Sequence, residues 1–433
     1  MKPKPVRRLK LNARLLLILI GTILITHLIA PYIGWQILLI GLGGVLLISY
    51  FWAKTLSIRL DLDRKLEYGW VQVGDRIHER FRIFNYSWIP ALWVEVRDHS
   101  TIPDYATHQI KEVKSKDWIQ WNTMAICTHR GEYSLGPTTL STSDPFGLFQ
   151  VTLHDPSTID LIVLPPILPL PSMDIAPGGR AGEGAVLTNV IERSVTASSV
   201  REYIPGDSLR WIHWPTTARR DQFFVRLFDA TPSGDWWIVL DMDRSIHFGE
   251  ELDATEEYAI VLAASVANQG LRAGQTVGLI AHDENLIWLP PLAGEGQRWE
   301  IMHALASISL GDRPLRDVLG GIAPSLGHHT SLVIITASLD PSWTEELVRF
   351  KQQGIRPTVL LLDPESFGRE VDSRITRKVL LDQGISHTIV TRESLIFFER
   401  QSKKQHVEEE SQSKKDRRDW ILWSADIPWE VFR

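Results

Sequence analysis

Hydrophobic positions fall into three successive regimes along the chain. Two unbroken apolar runs come first, at about residues 15–32 and 35–52, and no Asp, Glu, Lys or Arg occurs between Arg14 and Lys54. A run of about 18 residues makes a helix of roughly 27 Å, enough to cross the hydrocarbon core of a bilayer. Ala30, Pro31, Tyr32, Ile33 and Gly34 break the two runs apart. Tyr32, Trp35, Tyr50 and Trp52 sit near their ends, where amphipathic rings favour the membrane interface. This predicts a transmembrane helical hairpin. Residues 56–62, 77–85, 91–96, 118–126 and 157–163 then alternate with a period of two, which predicts the short strands of an all-β sandwich of immunoglobulin-like or related topology. From Asp235 onward, apolar segments at 236–242, 276–282, 331–336, 358–363 and 387–391 are interleaved with helical patterns at 255–271, 298–309, 315–323, 342–353 and 375–383. Strands buried on both faces with crossover helices predict a doubly wound, largely parallel α/β domain.

The pattern divides the 433 residues into a basic leader with two transmembrane helices (1–54), a β-sandwich (55–171), a linker with a signature segment (172–234), the α/β domain (235–398) and a charged linker with an aromatic tail (399–433). Lys2, Lys4, Arg7, Arg8, Lys10 and Arg14 precede the first apolar run, and Lys54, Arg59, Arg64 and Lys65 follow the second. The connecting turn has no basic residue, so the positive-inside tendency predicts a two-pass plasma-membrane protein with both termini and the soluble domains in the cytoplasm. No small-x-small cleavage site follows the first run, which argues against a signal peptide. A net charge of −6 argues against a polyanionic partner. The single Cys127 excludes an intramolecular disulfide and a multi-cysteine metal site, and reads as a small core residue of a strand.

Residues 199–220, S-V-R-E-Y-I-P-G-D-S-L-R-W-I-H-W-P-T-T-A-R-R, place Arg201, Arg210, Arg219 and Arg220 among Tyr203, Trp211 and Trp214. Gly206 suits a turn, Asp207 suits a helix cap, and Pro215 breaks the following turn or starts a new helix. Planar guanidinium groups beside large rings favour stacking and bidentate hydrogen bonds. Glu202, Asp207 and Asp221 offset three of the arginines, which disfavours nucleic acid. An internal brace and a protein-docking surface both remain open.

The pattern R-E-Y-x-P-G-D-x-x-R-x-I-x-W-x-x-x-A-R, followed by a strand ending W-I-V-L-D, resembles the signature of the domain-of-unknown-function 58 family. R-G-x-Y-x-L-G-P at 130–137, D-P-F-G-L-F at 144–149 and L-I-V-L-P at 161–165 extend the resemblance. It assigns the signature roles to Arg201, Tyr203, Gly206, Asp207, Arg210, Trp214 and Arg219, with His213 standing where the family commonly has an acidic residue. The resemblance implies a von Willebrand factor A-like α/β domain, and as partners a MoxR-type AAA+ ATPase and transglutaminase-like membrane proteins.

In von Willebrand A domains the strand equivalent to 236–240 leads into D-x-S-x-S, whose oxygens hold a hard cation. Asp241 and Ser245 match, Asp243 replaces the first serine, and Thr336, Ala337, Ser338 stand where T-D-G is usual. Asp241, Asp243 and Ser245 are therefore candidate ligands for Mg²⁺ or Mn²⁺, with Asp340 or Thr336 approaching from the neighbouring strand. The opposing expectation is that Asp241 caps a loop or pairs with an arginine such as Arg219 or Arg244. D-P-F-G-L-F reads as a turn that buries two aromatics. Residues 171–184 lack the G-K-[ST] ending of a phosphate cradle. With no catalytic constellation, the expected function is a membrane-anchored, non-enzymatic interaction module; a metal-dependent enzyme or accessory subunit of cell-envelope assembly is the alternative.

Overall fold

The computed structural model describes residues 5–103, 105, 107–171, 175, 197–203, 214–220, 222–228, 235–249, 253–327, 330–369, 373–398 and 400. The chain forms two compact units, Met1–Pro165 and Pro166–Arg433.

The first unit opens with strand β1 (Val6–Leu11), then helices α1 (Arg14–Ile29) and α2 (Ile33–Arg59). Ten strands follow: β2 (Leu60–Leu66), β3 (Trp70–Gln72), β4 (Arg76–Asn85), β5 (Ala91–Asp98), β6 (His108–Val113), β7 (Asp117–Ile126), β8 (Gly131–Leu135), β9 (Thr138–Ser143), β10 (Phe149–Asp155) and β11 (Ile159–Leu164). They make three sheets, ordered β1-β10-β9-β5-β6, β2-β4-β7 and β3-β11-β8. Phe81 and Ile83 of β4 share a buried core with Val94 and Val96 of β5, Leu140 of β9 and Leu153 of β10, so the first two sheets sandwich a common interior.

Several features differ from the pattern-based reading. Residues 56–59, expected to open a strand, instead complete α2, and the strand begins at Leu60. Residues 6–11, expected as a leader, form the edge strand β1 antiparallel to β10, because Leu9 and Leu11 pack on the cluster around Ala53, Phe149 and Val151. The D-P-F-G-L-F turn buries Phe149 but leaves Phe146 exposed. Cys127 follows β7 directly and is buried, its thiol pushed up to about 11 by burial and by the nearby Asp75 charge.

Helix α2 is long and apolar enough to cross a membrane, and the shorter α1 packs against it. The last two turns of α2 carry the buried residues Ala53, Leu56 and Ser57. Arg7 of β1 caps this end, donating from one guanidinium nitrogen to the carbonyls of Ser57 (2.7 Å) and Ile58 (2.5 Å), where a helix terminus favours a cation.

The sandwich also buries charge. Leu60, Leu62 and Arg64 share the inward face of β2, and Arg64 meets Glu79, inward on β4. The guanidinium donates to Glu79 (2.7–3.1 Å), to both carboxylate oxygens of Asp98 (2.8 and 3.0 Å) and to Ser100, and lies over the Phe81 ring. Tyr105 donates its hydroxyl to Glu79, and Thr138 to Asp98. Burial raises the Glu79 carboxyl above its ordinary range, against the opposing pull of Arg64 and Tyr105.

The second unit contains β12 (Ala197–Glu202), α3 (Trp214–Arg220) and β13 (Phe224–Phe228), with β12 and β13 antiparallel. After these come β14 (Trp236–Leu240), α4 (Thr255–Arg272), β15 (Val277–His282), β16 (Leu286–Leu292), α5 (Glu295–Ser307), α6 (Leu315–Ile322), β17 (Ser331–Thr336), α7 (Thr344–Gln352), β18 (Arg356–Leu362), α8 (Arg374–Asp382) and β19 (Ser386–Val390). The six-stranded sheet runs β16-β15-β14-β17-β18-β19, parallel except for the edge strand β16, which the pattern-based reading missed. Trp237, Val239, Leu332, Ile334, Val359 and Leu361 face α6, α7 and α8 in one core, while α4 packs across β14, β15 and β17. Residues 166–171 belong to this unit, although the sequence pattern places them with the sandwich. The Leu168 amide donates to Ser265 Oγ of α4 (2.9 Å) and Gln269 Nε2 to the Pro171 carbonyl (3.3 Å).

Candidate functional site

Strand β14 is the first strand of the large sheet and lies near its middle. The chain leaves it to build β15 on one side, then returns to build β17 on the other. At such a switch point the connections diverge and leave a crevice beyond the carboxyl ends of the two strands. Asp241 follows β14 there, and Thr336 closes β17 beside it.

These two residues are joined directly. Thr336 Oγ1 donates to Asp241 Oδ2 (2.6 Å) and accepts from the Ser338 amide (2.9 Å), which fixes the direction of its proton. Asp241 Oδ1 accepts from the Asp243 amide (3.3 Å), and Asp243 Oδ1 accepts from the Ser245 amide (2.9 Å). Successive carboxylates thus cap a tight loop, as Asx turns do. Both carboxylates are buried, Asp241 at 3% exposure and Asp243 at 8%. Burial raises the Asp241 carboxyl to about 7; the Thr336 and Asp243 donors oppose the shift and the Asp243 charge adds to it.

Two further side chains hold the loop from behind. His247 Nε2 faces the Asp241 carbonyl oxygen (2.9 Å), which can only accept, so this nitrogen carries the proton. Its Nδ1 lies 3.1 Å from Thr255 Oγ1, which itself accepts from the Phe248 amide (3.0 Å). Burial holds the imidazole below its ordinary pKa, consistent with this neutral tautomer. On the other flank Asp243 bridges to Gly311: the Gly311 amide donates to the Met242 carbonyl (2.9 Å) and the Arg244 amide to the Gly311 carbonyl (2.8 Å). A Cβ at Gly311 would lie 2.6 Å from the carbonyl oxygens of both His282 and Asp283, so only glycine fits.

The structure therefore gathers Asp241, Asp243 and Ser245 with Thr336 and Ser338. Asp340 instead caps the turn Pro341–Trp343, its two oxygens accepting from the Ser342 amide (3.1 Å) and hydroxyl (2.6 Å). Arg244 turns away from the carboxylates, donating to the Leu310 carbonyl (3.2 Å) and pairing with Asp312 (3.7 Å). His247, Thr255 and Gly311 escaped the sequence-based reading. Thr255 opens α4 and His247 lies eight residues before it, so their pairing carried no local sequence signal. Gly311 carried none.

Of the signature residues, Arg201 lies in β12 opposite Val225, Trp214 begins α3 and Arg219 is exposed on that helix. Pro215 thus sits in the first turn of a new helix. Tyr203 is half-buried; its amide donates to the Phe223 carbonyl (2.8 Å), and its ring meets Phe223 edge-on at 6.3 Å. The Phe224 amide in turn donates to Thr217 Oγ1 (3.1 Å), and the Phe224 ring lies under Arg220. Gly206, Asp207 and Arg210 lie outside the described residues.

Residues 199–366 match the family described as "Protein of unknown function DUF58", which bears out the family resemblance for that segment. The chain is 30% identical over 177 residues to the uncharacterized protein YeaD of Bacillus subtilis (strain 168), covering 39% of this chain and 40% of that protein. It is 28% identical over 109 residues to the uncharacterized protein Rv1480 of Mycobacterium tuberculosis, covering 25% of this chain and 34% of that one. The chain thus spans well under half the length of these relatives. Among solved structures, the CARDB domain of the PF1109 protein from Pyrococcus furiosus is similar over 24% of this chain and 87% of its own, with 13% identity and a TM-score of 0.18.

Proposed function

With residues 199–366 assigned to the DUF58 family, we propose that this chain is a membrane-anchored, non-enzymatic interaction module. Its second unit acts as a von Willebrand A-like domain that presents a client, together with a MoxR-type AAA+ ATPase and transglutaminase-like membrane proteins. One observation carries the reading. A loop of two capped carboxylates and a serine occupies the switch point of a mainly parallel sheet, tied by Asp241 to Thr336 of the adjacent strand. A rigid, oxygen-lined edge of this kind suits recognition of a partner group through a hard divalent cation. The donor set fits Mg²⁺ or Mn²⁺: Asp241, Asp243, Ser245 and Thr336 offer only oxygens. Among the described residues no group of three His, Cys, Asp or Glu side chains is placed to hold a metal, so hydroxyls and water would complete the shell. The bound cation would supply Lewis-acid attraction for a carboxylate or carbonyl of the client.

The anchor is a two-pass hairpin of α1 and α2, with both termini and both folded units cytoplasmic. The β-unit supports this. Strand β1 precedes α1, β2 follows α2, and Arg7 clasps the end of α2, so segment 12–59 begins and ends in one folded unit. Such a segment crosses a bilayer an even number of times. Impermeant thiol labelling in intact cells should modify Tyr32→Cys and spare Ile375→Cys, both at exposed positions; the reverse pattern inverts the topology.

The enzymatic alternative, a metal-dependent activity in envelope assembly, draws on the Asp241 carboxyl near 7, a value suited to proton transfer. Asp241→Asn separates the two readings. Client recovery from solubilised membranes should fall with no hydrolytic activity lost; loss of a measurable turnover instead would favour the enzyme.

A further inference from the structure

Three chain segments gather where α2 enters the β-unit, and each presents a large exposed ring or a pair of lysines. The first is the turn between β9 and β10. Asp144 is buried, and its carboxylate accepts from the amides of Phe146 (2.9 Å) and Phe149 (2.6 Å), so the only acid of the turn is consumed internally. Gly147 takes a left-handed φ of 70°, and the tip projects Phe146 at 59% exposure. Behind it Phe149 meets the Tyr50 ring edge-on at 5.7 Å, and Leu148 and Leu46 pack on the same cluster. Leu46 precedes Lys54, the first charge on α2, by eight residues, about 12 Å along a helix. The tip therefore lies alongside the apolar span.

The second and third segments join β4 to β5 and β6 to β7. Buried Asn85 clamps both, its amide donating to the carbonyls of Ile89 (2.9 Å) and Lys114 (3.0 Å), and the Lys116 amide donates to the Ser87 carbonyl (2.9 Å). Ile89 shares a buried cluster with Leu56 of α2, on which Trp52 also packs. The loops are thus fixed beside the helix, with Trp88 72% exposed and Lys114 and Lys116 exposed next to it. Asp117 follows, its carboxylate turned to the Trp118 amide (2.8 Å).

We propose that this rim is a membrane-docking surface: Phe146 and Trp88 enter the interfacial layer of the bilayer, and Lys114 and Lys116 engage anionic lipid headgroups. An aromatic ring flanked by lysines, continuous with an apolar helix, is the arrangement that interfaces favour. The proposal rests on reading α2 as a membrane span. It adds that the β-unit is seated flat on the bilayer and not held away from it on a stalk.

The full chain in vesicles tests both statements separately. A bimane label is placed at Phe146→Cys, Trp88→Cys, Ile40→Cys or Met124→Cys, all exposed positions; buried Cys127 stays in place, with the unsubstituted chain as background. Ile40 reports the span. Met124, paired with His78, stands seven positions along β7 from the Asp117 end at the rim, roughly 23 Å away. In phosphatidylglycerol–phosphatidylethanolamine vesicles, brominated acyl chains should quench labels at 40, 146 and 88 at least twofold, and aqueous iodide only the label at 124. Iodide quenching at 146 or 88, with 40 still quenched by lipid, overturns the docking and leaves the span intact. Iodide quenching at 40 removes the span, and the docking with it. In pure phosphatidylcholine the lipid signal at 88 should fall; an unchanged signal overturns the assignment of the lysines.

Discussion

Replacing Arg64 by Met tests whether the buried charge cluster holds the β-unit together. The guanidinium sits in the sandwich with its side chain 5% exposed, facing Glu79 at 0% and Asp98 at 1%. Met fills much of the alkyl volume but leaves two acids without a cation. Removing one partner of a buried pair costs about 3–5 kcal/mol, since the remaining charge is stranded. At about 1.4 kcal/mol per tenfold, amides that exchange through opening of this unit should lose roughly two to three and a half orders of protection. The assay is hydrogen exchange of the full chain in nanodiscs, comparing peptides from β2 and β4 with peptides from β14 as an internal reference. Acid should soften the defect. Folded Glu79 already binds its proton more tightly than the unfolded chain, so its contribution is fully present below the ordinary carboxylate range and is lost as pH rises through its raised folded value. Without Arg64 that window extends further upward, and the variant should be relatively less damaged at pH 5 than at pH 8. Wild-type protection in Arg64→Met at neutral pH would refute the argument, and would mean that the acids relax to water or stay protonated at little cost.

Asp241 gives a second pH signature. Its carboxyl, raised to about 7, contributes stability that is present below about 3.8 and lost as pH rises through 7, so protection of β14 should fall over that range and Asp241→Asn should flatten the profile. Millimolar Mg²⁺ or Mn²⁺ should restore protection at pH 8, by about 2.7 kcal/mol at a hundredfold excess over Kd, and superimposed curves with EDTA would exclude a cation. Gly311→Ala forces a methyl against two carbonyl oxygens and should loosen the 241–245 loop by about 1–3 kcal/mol, read as faster exchange at the Ser245 amide. Cys127 should resist maleimide in the folded chain and label on unfolding of the β-unit; prompt labelling at neutral pH would contradict its burial.

Much of this architecture was legible in periodicity. The uncharged run from Leu15 to Ala53 announces its helices, and the buried strands of the large sheet stand out because they are apolar at successive positions. Strand β1 was hidden because Arg7, Arg8 and Lys10 read as a charged leader, although the alternate residues Leu9 and Leu11 already marked one face. The inward Arg64 and Glu79 were hidden differently: a strand position occupied by a charge reads as outward unless its partner, here from another strand, is known. Asp241, Asp243 and Ser245 stood out through their resemblance to D-x-S-x-S at the end of a sheet strand, and their convergence required only the loop itself. Of the two residues expected from the neighbouring strand, Thr336 reaches Asp241 and Asp340 does not, a choice that depends on where β17 ends and that periodicity does not encode.

The pairing of β1 with β10 also constrains how the chain is made. Leu9 pairs with Val151, yet leaves the ribosome long before it. At about 5–20 residues per second the delay is roughly seven to thirty seconds. During that interval the two apolar helices emerge while the strand preceding them has no partner. The sheet can close only after β10 appears, so closure comes late and draws the N-terminus back against a body assembled from later sequence. An N-terminal truncation through Leu11 should therefore leave both helices intact and expose the edge of β10, making the β-unit prone to edge-to-edge association.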